Sequence, residues 1–317
     1  MSRLTFYVSC LTMSIASYIQ EIGARDHKLA MRDLKPLSDL NDADHDAFWP
    51  AWRAIMPPRR DEIAQAMVTL AEDNVDLDFR AALFWLLDDE NAVVRALAIE
   101  GLWEDTSSRV LRKLLTMLQS DPAPDVRADA ARALSRFAYQ AALGELGAEQ
   151  TRALRAALIS MILDQREPLD VRRRSLESAG YFADTDDLQR EIALAYKSDE
   201  QLLRESALVA MGRSMLPDWL PMIGAALGDV SPALRYEAAR AAGEMAEEAR
   251  SLVSRLLPLV EDDDTEVAVT AIWALGQIGG DAARRALQRV RKGQDETRGQ
   301  AAAEALDEFS LDDRFIG

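Results

Sequence analysis

His45 stands among Asp42, Asp44 and Asp46. One imidazole and three carboxylates are the donor types of a divalent-metal site. In a polar approach to a helix the same residues cap and solvate, and that is the reading adopted. The only other histidine, His27, lies beside Asp26. The run Glu261-Asp262-Asp263-Asp264 is a second acidic candidate for a divalent cation. It lacks the glycine and the alternating ligands of a calcium loop, and its place in the pattern below makes it a turn between helices. Gly276–Gly280 follows a helical pattern rather than a strand, so it does not read as a phosphate loop. No serine or cysteine of the repeats has a histidine partner to activate it. The single cysteine, Cys10, excludes an internal disulfide, a cysteine-cluster zinc site and an iron–sulfur cluster. These residue types disfavour catalysis, and no cofactor is expected.

Charge narrows the partner class. Among 317 residues, 37 Lys and Arg face 54 Asp and Glu, a net −17. Such a chain repels phosphate backbones and anionic bilayers, so neither nucleic acid nor membrane is expected as a partner. Gly and Pro are scarce and aromatics make up 6%, which points to helices with an Ala- and Leu-rich core. No charge occurs between Arg3 and Glu21, yet the apolar stretch is interrupted by serines and threonines and is too short to span a bilayer. Leu4, Val8, Leu11, Ile15, Tyr18 and Ile22 share one helix face, as a capping helix would need. A partner-docking helix, a weak export signal and a non-native extension before Met31 are the alternatives, and a cytoplasmic location is expected.

The elements that must position any site are repetitive. A core reading Val/Leu–Arg–x–x–small–apolar–x–x–apolar recurs at Val94-Arg95, Val126-Arg127, Val171-Arg172, Leu203-Arg204 and Leu234-Arg235. Val267-Ala268 keeps the frame without the Arg, and Thr297-Arg298 is a degenerate last copy. Counting from the Arg position, residues −1, +3, +4 and +7 trace one buried helix face. The +8 position holds Gly180, Gly212, Gly243 and Gly276, with Trp103 and Ser135 in the earlier copies. Glycine there suits close packing or a helix end. A further apolar helix precedes each copy, so each repeat is a pair. Between the two helices lies a turn with Asp six residues before the Arg, as in Asp89/Arg95, Asp121/Arg127 and Asp229/Arg235, with Asp262 in the same frame. Such an Asp can cap the second helix, and the Arg can reach an Asp of its own or an adjacent turn, building a ladder between stacked units. Arg166 and Ser198 replace the Asp before Arg172 and Arg204, where the ladder is expected to be broken or rearranged. Upstream, Ala47–Ile55 reads as a short helix with Pro50 in its first turn, ended by Met56-Pro57-Pro58. Asp61–Ala71 then reads as the second helix of an incomplete first repeat.

The Asp–(four residues)–Val/Leu–Arg frames and their Ala and Gly columns resemble the HEAT repeat, in the short form found in phycobilisome lyases, over residues 75–310. The resemblance implies an all-α solenoid, a right-handed superhelix of about seven stacked helical pairs. The expected organisation is a helical cap over 1–58, the solenoid over 59–310 and a tail over 311–317. HEAT-like hydroxylases hold iron with His-Glu pairs in their helices, and both histidines here lie outside the repeats.

Second helices usually line the concave face of such a stack, which serves partners. Positions +1, +2, +5 and +9 point away from the buried stripe. Most charged residues there read as solvated surface. Tyr181, Arg213, Tyr236, Arg240 and Trp273 are the candidate contacts, because aromatics and Arg anchor protein interfaces. Trp273 could instead be tucked under the C-terminal unit. The expected function is a non-catalytic scaffold that binds a protein on this face. The alternative is a phycobilin-lyase-like role in delivering a chromophore or other cofactor.

Overall fold

The computed structural model describes residues 14–24, 29–183 and 185–315. Leu4, Val8, Leu11, Cys10 and His27 lie outside the described residues. The chain divides into two compact units, Met1–Phe137 and Ala138–Gly317. Among the described residues there is no strand.

The first unit contains helices α1 (Ile15–Gly23), α2 (His45–Arg53), α3 (Pro57–Asp73), α4 (Arg80–Leu86), α5 (Ala92–Gly101), α6 (Ser108–Ser120) and α7 (Pro124–Ala133). Ser14 caps α1, which buries Ile19 and Ile22. Helices α4/α5 and α6/α7 form pairs, and α3 packs on α5 as α5 packs on α7. Helix α3 is therefore a second helix, as its pattern predicted. Two expectations need correction. Pro50 is not in the first turn of its helix. A turn of 3-10 helix at Asp42–Asp44 starts the segment early, with Asn41 and Asp44 capping each other's backbone, so Pro50 lies inside α2. Burial of Phe48, Ala51 and Trp52 offsets a proline cost of about 3 kcal/mol. Pro57 and Pro58 do not merely end one helix; they open the next, where the missing N–H costs nothing.

Helix α8 (Ser135–Ala142) bridges the sequence boundary between the units. The second unit contains α9 (Ala148–Leu163), α10 (Leu169–Ala179), α11 (Asp186–Tyr196), α12 (Gln201–Ser214), α13 (Leu220–Ala226), α14 (Pro232–Glu244), α15 (Val253–Leu256), α16 (Thr265–Ile278), α17 (Asp281–Arg291) and α18 (Glu296–Phe315). Its second helices α10, α12, α14, α16 and α18 pack in line. The first helix before α16 is mostly 3-10, flanking α15 at Ala246–Leu252 and Leu257–Glu261, with Pro258 interrupting the α ladder.

The column arithmetic is visible as burial. Val94, Ala98, Ile99 and Leu102 are buried, and so are Leu234, Ala238, Ala239 and Ala242. In the last copy Thr297 is exposed, as an end repeat allows. The +8 glycines are close-approach sites. A Cβ on Gly180 would lie 2.8 Å from the Ala210 backbone, and one on Gly212 2.9 Å from Ala241 Cα. One on Gly276 would lie 2.9 Å from Ala305 Cβ. Each glycine therefore admits the next second helix.

The Arg–Asp ladder forms between neighbouring repeats. Arg95 Nη1 donates to the carbonyl of Asp89 in its own turn (2.8 Å), while its Nε and Nη2 clasp Asp121 of the next turn at 2.8 and 2.6 Å. Arg235 repeats this with the Asp229 carbonyl and Asp262. Arg204 reaches Asp229 at 2.7 Å. Each Asp also accepts the N–H two residues on: Asn91, Ala123, Ser231 and Asp264. These contacts hold Asp229 and Asp262 below the ordinary carboxylate range. The Ser231 N–H is the main cause at Asp229, and the Arg235 hydrogen bonds at Asp262. Because Arg95, Arg204 and Arg235 reach forward, Arg204 keeps its rung despite the Ser198 in its own turn, and the missing Asp is felt by Arg172, which turns to the Ile162 carbonyl instead.

The pattern also begins one repeat earlier than the Val/Leu–Arg core reveals. Arg60 in α3 donates to both carboxylate oxygens of Asp89 at 2.8 Å, and Trp52 Nε1 donates to the same carboxylate at 2.6 Å. The side chains of Arg60 and Asp89 are 1% and 0% exposed. A signal existed in the spacing: Pro57/Arg60 matches Pro124/Arg127 and Pro232/Arg235, a proline opening the helix and an arginine three residues on.

Candidate functional site

The faces of α10, α12 and α14 that turn away from the buried stripe form a groove of about 350 Å³. Helix α10 contributes Arg173, Arg174 and Glu177; α12 contributes Leu202, Glu205, Val209 and Arg213; α14 contributes Glu237 and Arg240. A neighbouring groove of about 420 Å³ shares Glu205 and Glu237 and adds Tyr236, Asp264 and Glu266. The two together run across α12, α14 and the start of α16.

Charges in the groove are paired along each helix and hydrogen-bonded between helices. Glu177 accepts from Arg174 at 2.9 Å, lies 3.5 Å from Arg173 and accepts the Ser206 hydroxyl at 2.6 Å. Arg213 donates to the Glu177 carbonyl at 2.8 Å and lies over the Tyr181 ring, 5.4 Å from its centroid. Tyr139 packs on the same ring at 5.6 Å. Arg240 binds Glu237 at 2.7 Å and also Glu244. Burial pushes the carboxyls of Glu237 and Glu244 up, against the lowering pull of Arg240. Burial also pulls the Arg240 guanidinium down, but the two glutamates outweigh it and the net shift is upward. Burial raises the Tyr181 phenol. What the arrangement offers chemically is paired charge, a tilted tyrosine pair under Arg213 and, at Leu202, an apolar side chain 41% exposed.

The five predicted contacts are placed differently from one another. Arg213 and Arg240 line the first groove, Tyr236 lines the second, and Tyr181 supports Arg213. Trp273 lines neither. It is half-buried against the preceding repeat, where its ring fills the space above Gly243. Glu177 corrects an expectation. It is 6% exposed, not solvated surface. Its spacing of three and four residues from Arg174 and Arg173 was the available signal. Leu202, before the repeat core, carries no such signal.

The metal candidates resolve locally. Among the described residues no three His, Cys, Asp or Glu side chains gather as a metal site. Asp44 is committed to Asn41, His45 faces aromatic rings, Asp262 holds Arg235, and Asp264 caps α16. Among the described residues no helix is long and apolar enough to cross a membrane.

No curated protein matches the chain. Among solved structures, importin beta is similar at 15% identity with a TM-score of 0.49, over 93% of this chain and 44% of its own. A designed armadillo repeat protein is similar at 18% identity and 0.39, over 62% and 99%. Human deoxyhypusine hydroxylase in complex with glycerol is similar at 16% identity and 0.37, over 94% and 96%. A family model for HEAT repeats matches residues 80–161 and 220–307, more than half of the chain. With the stacked pairs and their forward-reaching arginines, that match identifies the chain as a member of the HEAT-repeat family.

Proposed function

We propose that this chain is a protein-binding scaffold whose partner docks on the second-helix face of α10 to α16. The observation that carries the reading is the pair of adjoining grooves sharing Glu205 and Glu237, lined by Arg213, Arg240, Tyr236 and the exposed Leu202. Arg and Tyr around a small apolar centre are the side chains from which interface anchors are drawn. Membership of the HEAT-repeat family supports the same face. The net −17 charge supports a protein partner over nucleic acid or an anionic membrane, and the serine- and threonine-interrupted N-terminal stretch supports a cytoplasmic location. Tyr181 and Trp273 act in this reading as supports: Tyr181 steadies Arg213, and Trp273 sets the spacing of α14 and α16. Residues 1–58 act as the cap, with Trp52 bonded to the first turn of the repeats at Asp89, and 311–317 as a tail.

The test is recovery of a co-purifying protein by the full chain and by a Leu202→Ser, Tyr236→Ala variant that keeps its circular dichroism and melting temperature. Recovery is expected to fall about tenfold or more, the loss typical of two interface anchors. Equal recovery by the folded variant overturns the site.

A further inference from the structure

We propose that a pocket in the first unit, separate from the scaffold face, binds an organic ammonium ion. The pocket has a volume of about 510 Å³ and lies between α2, α4 and α6. Its walls are the rings of His45, Trp49, Phe84 and Trp85, with the carboxylates of Asp42 and Asp88 beside them. The His45 ring meets Trp85 edge-on at 5.3 Å and stacks on Trp49 at 6.2 Å. Negative ring faces beside carboxylates attract a cation that carries its own apolar surface.

The pocket already shows this preference with the protein's own cation. The Arg109 guanidinium lies 3.7 Å from the centroid of Phe84, and its Nη1 is 3.1 Å from Asp42 Oδ1. That grip is loose. The Arg109 side chain is 47% exposed and its Asp42 partner 83%, and exposed pairs of this kind contribute little. Asp88 is engaged by Lys113. A ligand ammonium that displaced Arg109 would take over both the Phe84 face and the Asp42 carboxylate, releasing the Arg109 guanidinium to water. A methylated ammonium sheds water more easily than a hydrogen-bonding cation and presents methyl groups to the rings. Arg109 is thus an internal competitor for the site.

The test is proton NMR of choline titrated with the full chain, with 3,3-dimethylbutan-1-ol as the neutral isostere. The expected result is a saturable upfield shift and broadening of the N-methyl resonance, and affinity about tenfold weaker for the neutral compound. Asp42→Asn, an exposed change that leaves the rings in place, weakens choline several-fold. Arg109→Gln, which removes the competitor, strengthens it. The absence of a saturable shift, equal response to both compounds, or weakening by Arg109→Gln overturns the proposal.

Discussion

The six-membered ring of Trp273 occupies the space that a side chain at Gly243 would need: a Cβ there would lie 2.3 Å from Trp273 Cζ3. The glycine on α14 and the tryptophan on α16, one repeat apart, are complementary shapes where two second helices meet.

That complementarity predicts a signed coupling. Gly243→Ala forces the ring aside and destabilises the second unit by about 1–3 kcal/mol, the usual cost of overpacking. Gly228→Ala, where a Cβ would lie 3.7 Å from the Ala225 carbonyl oxygen, costs far less. Adding Trp273→Ala to Gly243→Ala relieves the clash, so the double variant loses less than the sum of the singles. Urea unfolding of the four variants measures the coupling.

The buried pair at the start of the ladder predicts a contrast in the first unit. Arg60→Met removes the ion-pair partner of the Asp89 carboxylate, leaving it the N–H groups of Trp52 and Asn91, and costs about 3–5 kcal/mol. Arg80→Met removes an ion pair of similar geometry with Asp78, 2.5 Å apart, but one whose Arg is 65% exposed. The surrounding water makes that loss at most about 1 kcal/mol. Melting temperatures of the two variants separate the effects.

Acid should weaken the ladder. The folded pKa values of Asp229 and Asp262 lie below their unfolded ones, so their contribution is fully present above the unfolded value, about 3.9, and is lost as pH falls through the folded values. Stability measured by urea titration is expected to drop below about pH 4 in the native chain. Asp262→Asn loses stability at neutral pH and shows a shallower acid limb. An unchanged limb would show that these pairs do not set it.

The broken rung can be repaired. Ser198 accepts the Glu200 N–H at 3.1 Å, the same turn contact that Asp89 and Asp229 make with the residue two ahead. Ser198→Asp therefore keeps the turn and offers Arg172 a carboxylate. A gain of about 0.5–1 kcal/mol is expected for a partly exposed, well-oriented pair. Urea unfolding checks it, with Arg172→Met in the same background abolishing the gain.

The repeat period, the helical pairs and the buried columns were legible in the sequence, because each depends on residues within one or two turns of each other. Val94, Ala98, Ile99 and Leu102 and their counterparts, with the Asp–Arg frames, carry the resemblance that implies an all-α solenoid. The class of contact was legible too: an Asp in the turn and an Arg six residues later can only be a cap and a clamp. Direction was not. Whether Arg95 closed on its own Asp89 or on Asp121 depended on how the repeats stack, and the answer is both: the first by its carbonyl, the second by its carboxylate. Arg60, Trp52 and Asp89 come from segments 29 and 37 residues apart, and no local pattern joins them. Trp273 read as an outward position by its helical offset, and only the neighbouring helix, drawn close by a missing Cβ, converted it into packing. Periodicity belongs to a single helix and survives in a linear string. Which side chain fills which gap is a property of two surfaces meeting, and it exists only once the chain has folded.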